Sequence, residues 1–486
     1  MTGSELLGLI MLTVMIGVIF IGFPISFTLL FLAFTFGYFG LGGHTVFDLA
    51  YYQTIGMMKE ELLAAVPLFI FMGYITEQAG LMERLFGALR MLLAPMRGAL
   101  FVVVILTATI FAMATGIVGA SVTVLGIMAA PIMIKTGYDS KLASGAITAG
   151  GTLGILIPPS VMLIVMGPVL GVSVADLYAA AFGPGLLLAG MYILYVMVRC
   201  FINPKLGPPV PKEERVTSPY LLVREVLIGV VPLAALIAAT LGSILGGLAT
   251  PTEAAGFGAL GALILAVAYR KLTYKGLRQA VISAMTTSSM VLLLAVTSNI
   301  FGAVFARLGT ANWVTESMLA LPLPPIAMLG VVIILIFLLG WPFEWPAIIL
   351  VFLPIFYPVI AALKFDLVWF GALVAVTLQT AYLSPPVAMS AYYLKQVVKG
   401  WSLATIYKGM MEFMVIQCVA VAMVLFFPAI ATYLPEQLQE ASRQAPVEKV
   451  TDDAPSLEQD PLESMQQKSE DDAEKKEGEE PPPASK

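Results

Sequence analysis

The chain has 486 residues, of which 59% are hydrophobic and 12% are charged, and its mean hydropathy is +0.92. Soluble domains average about 25% charged residues, and the apolar runs here recur at the roughly 20 residues that cross a bilayer. These values exclude an ordinary soluble protein and predict an all-α polytopic membrane protein. A single histidine, two cysteines without a pairing or metal pattern, and no P-loop or nucleophile elbow argue against an enzyme, an ATP-driven pump or an organic cofactor.

Hydropathy divides the chain into spans and hairpins. The first apolar run lacks a basic n-region and a cleavage site, so we expect a retained helix and not a signal peptide. Two further runs, 98–134 and 323–361, are treated as re-entrant hairpins that return to their own side. The predicted spans are 5–22, 24–42, 62–78, 141–170, 176–199, 225–247, 252–269, 280–302, 366–394 and 402–433.

An internal repeat relates the two halves of the chain. LIPPSVM at 156–162 is matched by LSPPVAM at 383–389, which places Pro158 and Pro385 227 positions apart. The same offset joins Pro24 to Pro251, Pro131 to Pro358 and Asp139 to Asp366. The sequence therefore predicts a first repeat at 1–202, a polar linker at 203–225 and a second repeat at 226–433.

The final segment, 434–486, differs from both repeats. It contains fifteen Asp and Glu residues against six Lys and Arg residues, with several prolines and almost no aromatic residues. Such a composition cannot bury a core, so we predict a disordered acidic tail.

The distribution of basic residues predicts that the two repeats are inverted. With the N-terminus outside, seventeen Lys and Arg residues before the tail lie inside, and only Lys59, Arg307 and Lys364 lie outside. This asymmetry satisfies the positive-inside rule. In this topology the first repeat begins outside and the second begins inside.

Each repeat contains a span that is interrupted by adjacent prolines. A broken span leaves carbonyl groups unpaired on one half-helix and amide groups unpaired on the other, at a cost of several kcal/mol each in hydrocarbon. The carbonyls suit a small cation and the amides suit an anion. Paired, interrupted helices in inverted repeats are typical of secondary transporters. The alternative is a proline kink that neighbouring helices accommodate.

Polar, glycine-containing interruptions also lie midway along both hairpins, at 114–121 and 340–346. Of three acidic residues near the spans, Glu344 at the second interruption is a candidate functional carboxylate. Glu253 follows Thr250 and Pro251 in the pattern of a helix capping box, which favours a structural role. For Glu412 we expect a structural pairing with Lys408.

Several stretches resemble a known family, the large DctM-type membrane subunit of tripartite ATP-independent periplasmic (TRAP) transporters. The resemblance extends over residues 1–434 and is carried by VPLFIFMG at 66–73, GASV at 119–122, GYDSKLASGAITAGGTLGILIPPS at 137–160, ATPTEAA at 249–255 and LQTAYLSPPVA at 378–388.

The resemblance implies an elevator-type symporter, with a transport domain and a scaffold domain, in the bacterial inner membrane. Such subunits use a sodium gradient to import a small organic acid, which a periplasmic binding protein delivers, and a small four-helix DctQ-like subunit enlarges the scaffold. A stand-alone sodium/organic-anion carrier of the same superfamily is the alternative. We expect membrane lipid to surround the protein as a partner, and we expect no nucleic acid.

The resemblance also implies two sodium sites at positions equivalent to those of the family. One site lies at each junction between a hairpin tip and the neighbouring broken helix. Substrate is expected between the tips, at Thr115, Ser121, Ser160, Thr380, Ser384, Pro159 and Pro386. The first ion is expected at Gly119, Ser121, Thr152, Ile157 and Pro158, and the second at Gly340, Glu344, Thr380, Leu383 and Ser384.

Two departures from the family pattern affect these sites. Many members have a Ser-Gly-Ser-Ser run where this chain has 118–121, VGAS, so an ion there depends more on backbone carbonyls. Many also have aspartate where this chain has Glu344. The LQTAYLSPP stretch and Trp345 most resemble the branch labelled mannitol/chloroaromatic, whose relatives include transporters of 2-oxo acids.

Overall fold

A computed structural model describes residues 2–209, 218–385 and 388–444 of this chain. Within these ranges the regular structure is entirely helical, which confirms the predicted all-α class. Many large apolar side chains on the outer helices are exposed, among them Phe20, Phe27 and Phe31. Exposed apolar faces around a buried centre are what hydrocarbon-facing helices carry, since lipid tails solvate them.

Ten helices form the first half of the chain. They are α1 (Gly3–Phe20), α2 (Ile25–Leu41), α3 (Thr45–Met58), α4 (Ala65–Gln78), α5 (Leu81–Leu93), α6 (Ala99–Thr115), α7 (Val118–Lys135), α8 (Ser140–Thr152), α9 (Val161–Leu170) and α10 (Val174–Ile202).

Ten more follow in the second half. They are α11 (Pro219–Leu245), α12 (Pro251–Ala268), α13 (Tyr274–Arg307), α14 (Thr310–Leu319), α15 (Pro325–Leu339), α16 (Trp345–Ala362), α17 (Leu367–Thr380), α18 (Met389–Val397), α19 (Leu403–Phe426) and α20 (Ala429–Gln444). Both α11 and α16 contain one π-helical turn, at Ala238–Gly242 and Ile348–Phe352.

Eight of the described helices are long and apolar enough to cross a bilayer. A ninth span results if Glu61–Gln78 and Leu81–Leu93, which meet at 58°, are counted together. Helices α3, α5 and α14 were not among the segments predicted from the sequence. Helix α5, for example, carries Glu83 and Arg90 on one face and buries Leu85 and Leu89 on the other, so its average hydropathy is too low for a span.

Two predicted boundaries are wrong. The linker was expected to extend to 225, but α11 begins at Pro219, capped by the Ser218 side chain. The acidic tail was expected to begin at 434, but α20 continues to Gln444. Composition averaged over the whole tail concealed the helical spacing of its first residues, in which Leu434 and Leu438 lie four positions apart among mostly polar residues. Residues 445–486 lie outside the described ranges.

The helix bounds of the two halves correspond at the 227-residue offset. Helix α7 begins at Val118 and α16 at Trp345, and their last residues, Lys135 and Ala362, are equally far apart. Packing between the halves is reciprocal. Helix α4 packs on α12, and the equivalent α13 packs on α2. Helix α8 packs on α19, and the equivalent α17 packs on α10. Reciprocal contacts of this kind are the pattern that a two-fold relation produces.

The two broken spans lie at the centre of the molecule. All residues from Leu142 to Thr152 and from Trp369 to Thr380 are buried. Glycines permit the close packing on α8: a β-carbon at Gly145 would lie 2.7 Å from the Gly409 carbonyl oxygen. Small residues at such contacts let helix backbones approach each other in membranes.

Candidate functional site

The first break separates α8 from α9. After Thr152 the chain makes a short 3-10 turn, Leu153–Ile155, and the helix resumes at Val161. The Leu153 carbonyl accepts hydrogen bonds from the Leu156 and Ile157 amides, and the Ser160 hydroxyl donates to the Ile155 carbonyl. The break is therefore an ordered, fully buried structure and not a simple kink.

The tip between α6 and α7, the first tip, contacts this break. Gly116 at the tip has a positive φ of 61°, a conformation that glycine adopts without strain. A β-carbon on Gly116 would lie 3.3 Å from the Pro159 carbonyl oxygen, and one on Gly154 would lie 3.6 Å from the Ile117 amide nitrogen. Tip and break thus meet backbone to backbone.

The second break and the second tip, between α15 and α16, are arranged in a similar way. A β-carbon on Gly340 at the tip would lie 2.8 Å from Cβ of Ala381 in the break. The Ser384 amide donates to the Thr380 carbonyl at 2.9 Å, and the Ser390 hydroxyl donates to the Tyr382 carbonyl at 2.5 Å. Pro386, which the sequence analysis placed at the substrate site, lies outside the described residues.

The hydroxyl groups expected at the sites are buried, and all of them except that of Ser384 donate their protons to local carbonyls. Thr115 donates to Phe111, Ser121 to Ile117, Thr152 to Ala149 and Thr380 to Thr377, over 2.6 to 3.1 Å. A donating hydroxyl keeps its lone pairs for a further donor or a cation. The hydroxyl of Thr152 already accepts from Gln379 Nε2 at 3.1 Å. The buried Ser384 hydroxyl has no partner among the described residues.

Thr152 and Gln379 occupy equivalent positions, 227 residues apart, and touch each other. Equivalent positions of two related halves can be in contact only near the axis that relates them. The two breaks are therefore neighbours at the centre of the protein, which the sequence indicated only through their spacing.

A cavity of 490 Å³ lies against the first tip and both breaks. Of the predicted site residues only Gly119 lines it. Thr115, Ser121, Ser160, Thr380 and Ser384 are at most 3% exposed and lie behind its wall. Its remaining lining residues are Ile70, Tyr74, Glu77, Gly116, Ile117, Val118, Ala120, Thr123, Ile155, Val161, Thr287, Val291, Trp345, Tyr382 and Tyr393.

Sequence reasoning missed the polar and aromatic residues of this wall. Tyr74 and Glu77 follow the VPLFIFMG stretch at a spacing of three, which places them on one face of α4. Tyr74 Oη lies 3.4 Å from Thr287 Oγ1 of α13. Two polar residues on one face at the end of an apolar helix were the available signal for this part of the site.

Three helix N-termini reach the cavity. Val118, Val161 and Trp345 are the first residues of α7, α9 and α16, and each lines it. None of the preceding residues caps its helix with a side chain. Uncapped N-termini present free amide groups and carry a partial positive charge, which favours anions. No Lys, Arg or His is among the lining residues.

The remaining acidic candidates have the following positions. Glu344 immediately precedes α16, is exposed, and lies close enough to Tyr382 and Tyr393 to interact with both electrostatically. The capping box at Thr250 and Glu253 is present, and its two mutual hydrogen bonds with the backbone measure 2.8 and 3.2 Å.

The expected pairing of Glu412 with Lys408 is wrong. Glu412 accepts from Arg199 at 3.0 Å and from the Tyr195 hydroxyl at 2.5 Å, so it joins α19 to α10. No group of three or more His, Cys, Asp or Glu side chains suited to a metal occurs among the described residues.

Comparisons with known proteins agree with this architecture. The sialic acid TRAP transporter large permease protein SiaM of Vibrio cholerae is 30% identical over 423 residues, which cover 87% of this chain and 96% of the relative. The C4-dicarboxylate large permease protein DctM of Rhodobacter capsulatus is 27% identical over 445 residues, covering 88% and 99%. The ectoine large permease protein TeaC of Halomonas elongata is 26% identical over 427 residues, covering 87% and 98%.

A solved structure and a family match complete the comparison. The crystal structure of the Alcanivorax borkumensis YdaH transporter matches with a TM-score of 0.59 at 15% identity, over 81% of this chain and 89% of that chain, and so shares the fold. Residues 12–430 match the family described as tripartite ATP-independent periplasmic transporter, DctM component. The chain therefore belongs to the DctM family and is the large permease subunit of a TRAP transporter, a membrane transport protein and not an enzyme.

Proposed function

We propose that this subunit imports a small organic carboxylate across the bacterial inner membrane by coupling its movement to sodium ions. Its partners in this proposal are a small four-helix membrane subunit and a periplasmic binding protein, as the tripartite family name implies. The observation that carries the proposal is the convergence of three uncapped helix N-termini on one cavity.

The cavity favours an anion although it contains no basic side chain. Each helix N-terminus contributes roughly half a positive charge, and the amides in the first turns of α7, α9 and α16 lack side-chain acceptors. The volume of 490 Å³ suits a small molecule. Two relatives are named for sialic acid and for C4-dicarboxylates, which are acids. The resemblance to the mannitol/chloroaromatic branch remains a prediction. It ranks 2-oxo acids high among the candidate substrates.

The buried junctions of tips and breaks are the proposed sodium sites. A hard cation takes oxygen ligands. Thr152 and Thr380 donate their hydroxyl protons to carbonyls of their own helices. The Thr152 hydroxyl accepts from Gln379 with one lone pair and keeps the other for a cation, and Thr380 keeps both. The unpartnered Ser384 hydroxyl is a further buried oxygen at the second junction. Thr152 with the carbonyls around Ile157 would hold one ion, and Thr380 with Ser384 the other.

In this proposal the hairpins and broken helices move as one transport domain past the other helices. The backbone contacts between Gly116 and Pro159 and between Gly340 and Ala381 support their joint movement, because tip and break cannot separate without loss of these contacts.

Uptake into proteoliposomes tests the proposal. The complete membrane complex is reconstituted, the binding protein is loaded with a labelled acid that it binds, and a sodium gradient is compared with a potassium gradient. We expect uptake that needs both sodium and the binding protein. Equal uptake with potassium would refute sodium coupling. Uptake without the binding protein would favour the alternative, a stand-alone carrier.

A pair of threonine variants locates the first ion. Thr152→Val removes the hydroxyl at the break, whereas Thr148→Val removes an equally buried hydroxyl one turn earlier on the same helix. If one neutral oxygen ligand contributes about 1.4 kcal/mol to the free energy of sodium binding, its loss raises the half-saturating sodium concentration about tenfold. We expect this change for Thr152→Val and none for Thr148→Val. The same sodium dependence in both variants would remove Thr152 from the site.

A further inference from the structure

The cavity described above contains a carboxylate that an anion site does not need. Glu77 lines the wall formed by α4, and it is the one acidic residue among the lining residues. Glu77 is half-buried, and its carboxylate forms no hydrogen bond or ion pair within the described part of the chain. Glu83, on the exposed face of α5, is another acid that interacts with Glu77 electrostatically.

An unpaired carboxylate in this position would repel a simple organic anion. Two like charges that share a cavity of this size interact by several kcal/mol where water is partly excluded, since the effective dielectric constant there is far below that of water. The same carboxylate would attract the positive group of a molecule whose own carboxylate is held elsewhere. Glu77 therefore adds a group that attracts cations to a cavity whose helix N-termini favour anions.

Aromatic side chains also line this cavity. Tyr74 lies three residues before Glu77 on the same face of α4, and its hydroxyl is near Thr287. The ring of Tyr393 lies 3.3 to 3.5 Å from the position of a β-carbon on Gly119, at the first tip. Tyr382 and Trp345 complete the wall. Faces of tyrosine and tryptophan rings attract alkylammonium groups, by about 2 kcal/mol where water is excluded.

We propose that the substrate of this cavity is a small zwitterion that carries both a carboxylate and an ammonium or alkylammonium group. The carboxylate binds at the N-termini of α7, α9 and α16, and the cationic group binds between Glu77 and the rings of Tyr74 and Tyr393. The inference rests on the proposed function and narrows its substrate class from small carboxylates to zwitterionic ones.

Matched pairs of probes test the charge requirement. Glycine betaine and 3,3-dimethylbutyrate have the same shape and carboxylate, and differ in whether the central atom is a positive nitrogen or a neutral carbon. Alanine and lactate form a second pair, with an ammonium group exchanged for a hydroxyl. Binding of each probe to the purified membrane complex in sodium buffer is measured by thermal unfolding and by tryptophan fluorescence, to which Trp345 contributes.

We expect the zwitterion of at least one pair to bind about tenfold more tightly than its partner. Glu77→Gln should remove this preference and leave the affinity for the singly charged partner unchanged or increased, and Glu77→Asp should restore part of it. Glu83→Gln is the matched control, since it removes a nearby charge that does not line the cavity, and it should keep the preference.

Three other outcomes overturn the inference. If 3,3-dimethylbutyrate and lactate both bind at least as tightly as their zwitterionic partners, the proposal of a carboxylate substrate stands and the proposal of a zwitterionic substrate is wrong. If the preference survives in Glu77→Gln, Glu77 is not its source. If no probe binds while sodium-driven uptake of another acid is observed, the substrate class is wrong. Absence of both probe binding and uptake of any acid would refute the proposed function as well.

Discussion

The packing of α8 on α19 leads to a quantitative prediction for Gly409→Ala. A β-carbon at Gly409 would lie 2.0 Å from the carbonyl oxygen of Lys141, against 3.4 Å for ordinary contact. The two helices must therefore separate by about 1.4 Å, because a backbone atom cannot rotate away. Overpacking costs up to about 3 kcal/mol, and the better helix propensity of alanine offsets about 1 kcal/mol. We expect a net destabilisation of about 2 kcal/mol.

Gly190→Ala is the matched control. Gly190 lies within α10, is exposed, and has no atom within 4 Å of its β-carbon position. Alanine there should stabilise the protein by about 1 kcal/mol. Unfolding of the two purified variants in the same detergent measures the difference. Because α8 leads directly into the first break, sodium-driven uptake should fall with Gly409→Ala and be unchanged with Gly190→Ala. Wild-type stability and uptake in Gly409→Ala would refute the packing argument.

Three further predictions concern other parts of the structure. Burial raises the pKa of Tyr138, in the turn after α7, to about 12. Its contribution to stability is therefore complete below pH 10 and is lost, by roughly 2–3 kcal/mol, as the pH rises from 10 to 12. A Tyr138→Phe variant should lack this loss when the free energy of unfolding is measured between pH 10 and 12. An equally steep fall of stability with pH in the variant and the wild type would show that Tyr138 is not its source. Thr250→Ala removes the α12 cap and should lower the free energy of unfolding by about 1 kcal/mol, whereas Thr250→Ser should leave it almost unchanged. Thermal unfolding measures both variants, and equal losses of stability would rule out a capping role. Glu412→Gln breaks the half-exposed pair with Arg199 and should lower stability by less than about 1 kcal/mol, while Lys408→Gln should have no effect in the same assay. A larger loss of stability in Lys408→Gln than in Glu412→Gln would instead support the pairing of Glu412 with Lys408 that the sequence predicted.

Part of the site could be predicted from the sequence because its signals are local. Adjacent prolines lack amide donors whatever the tertiary structure. Pro158 and Pro159 therefore predicted a helix break, and the structure has it between α8 and α9. The capping box at Thr250 and Glu253 depends on a spacing of three, and it is present. Glu412 shows the limit of such reasoning. Its expected partner lay four residues away, but the structure brings Arg199 of another helix within 3.0 Å.

The sequence by itself determined that this protein is a helical membrane protein of two related halves. Apolar length and proline spacing specify these properties residue by residue, without reference to distant segments. Only the tertiary structure decided which residues face the cavity. Its wall combines Glu77 of α4, Thr287 of α13, Trp345 of α16 and Tyr393 of α18, which lie far apart in the chain. The crossing angles of the helices determine which helices form this wall. The rotation of each helix about its axis decides whether a residue lines the cavity, as Gly119 does, or lies behind the wall, as Ser121 does.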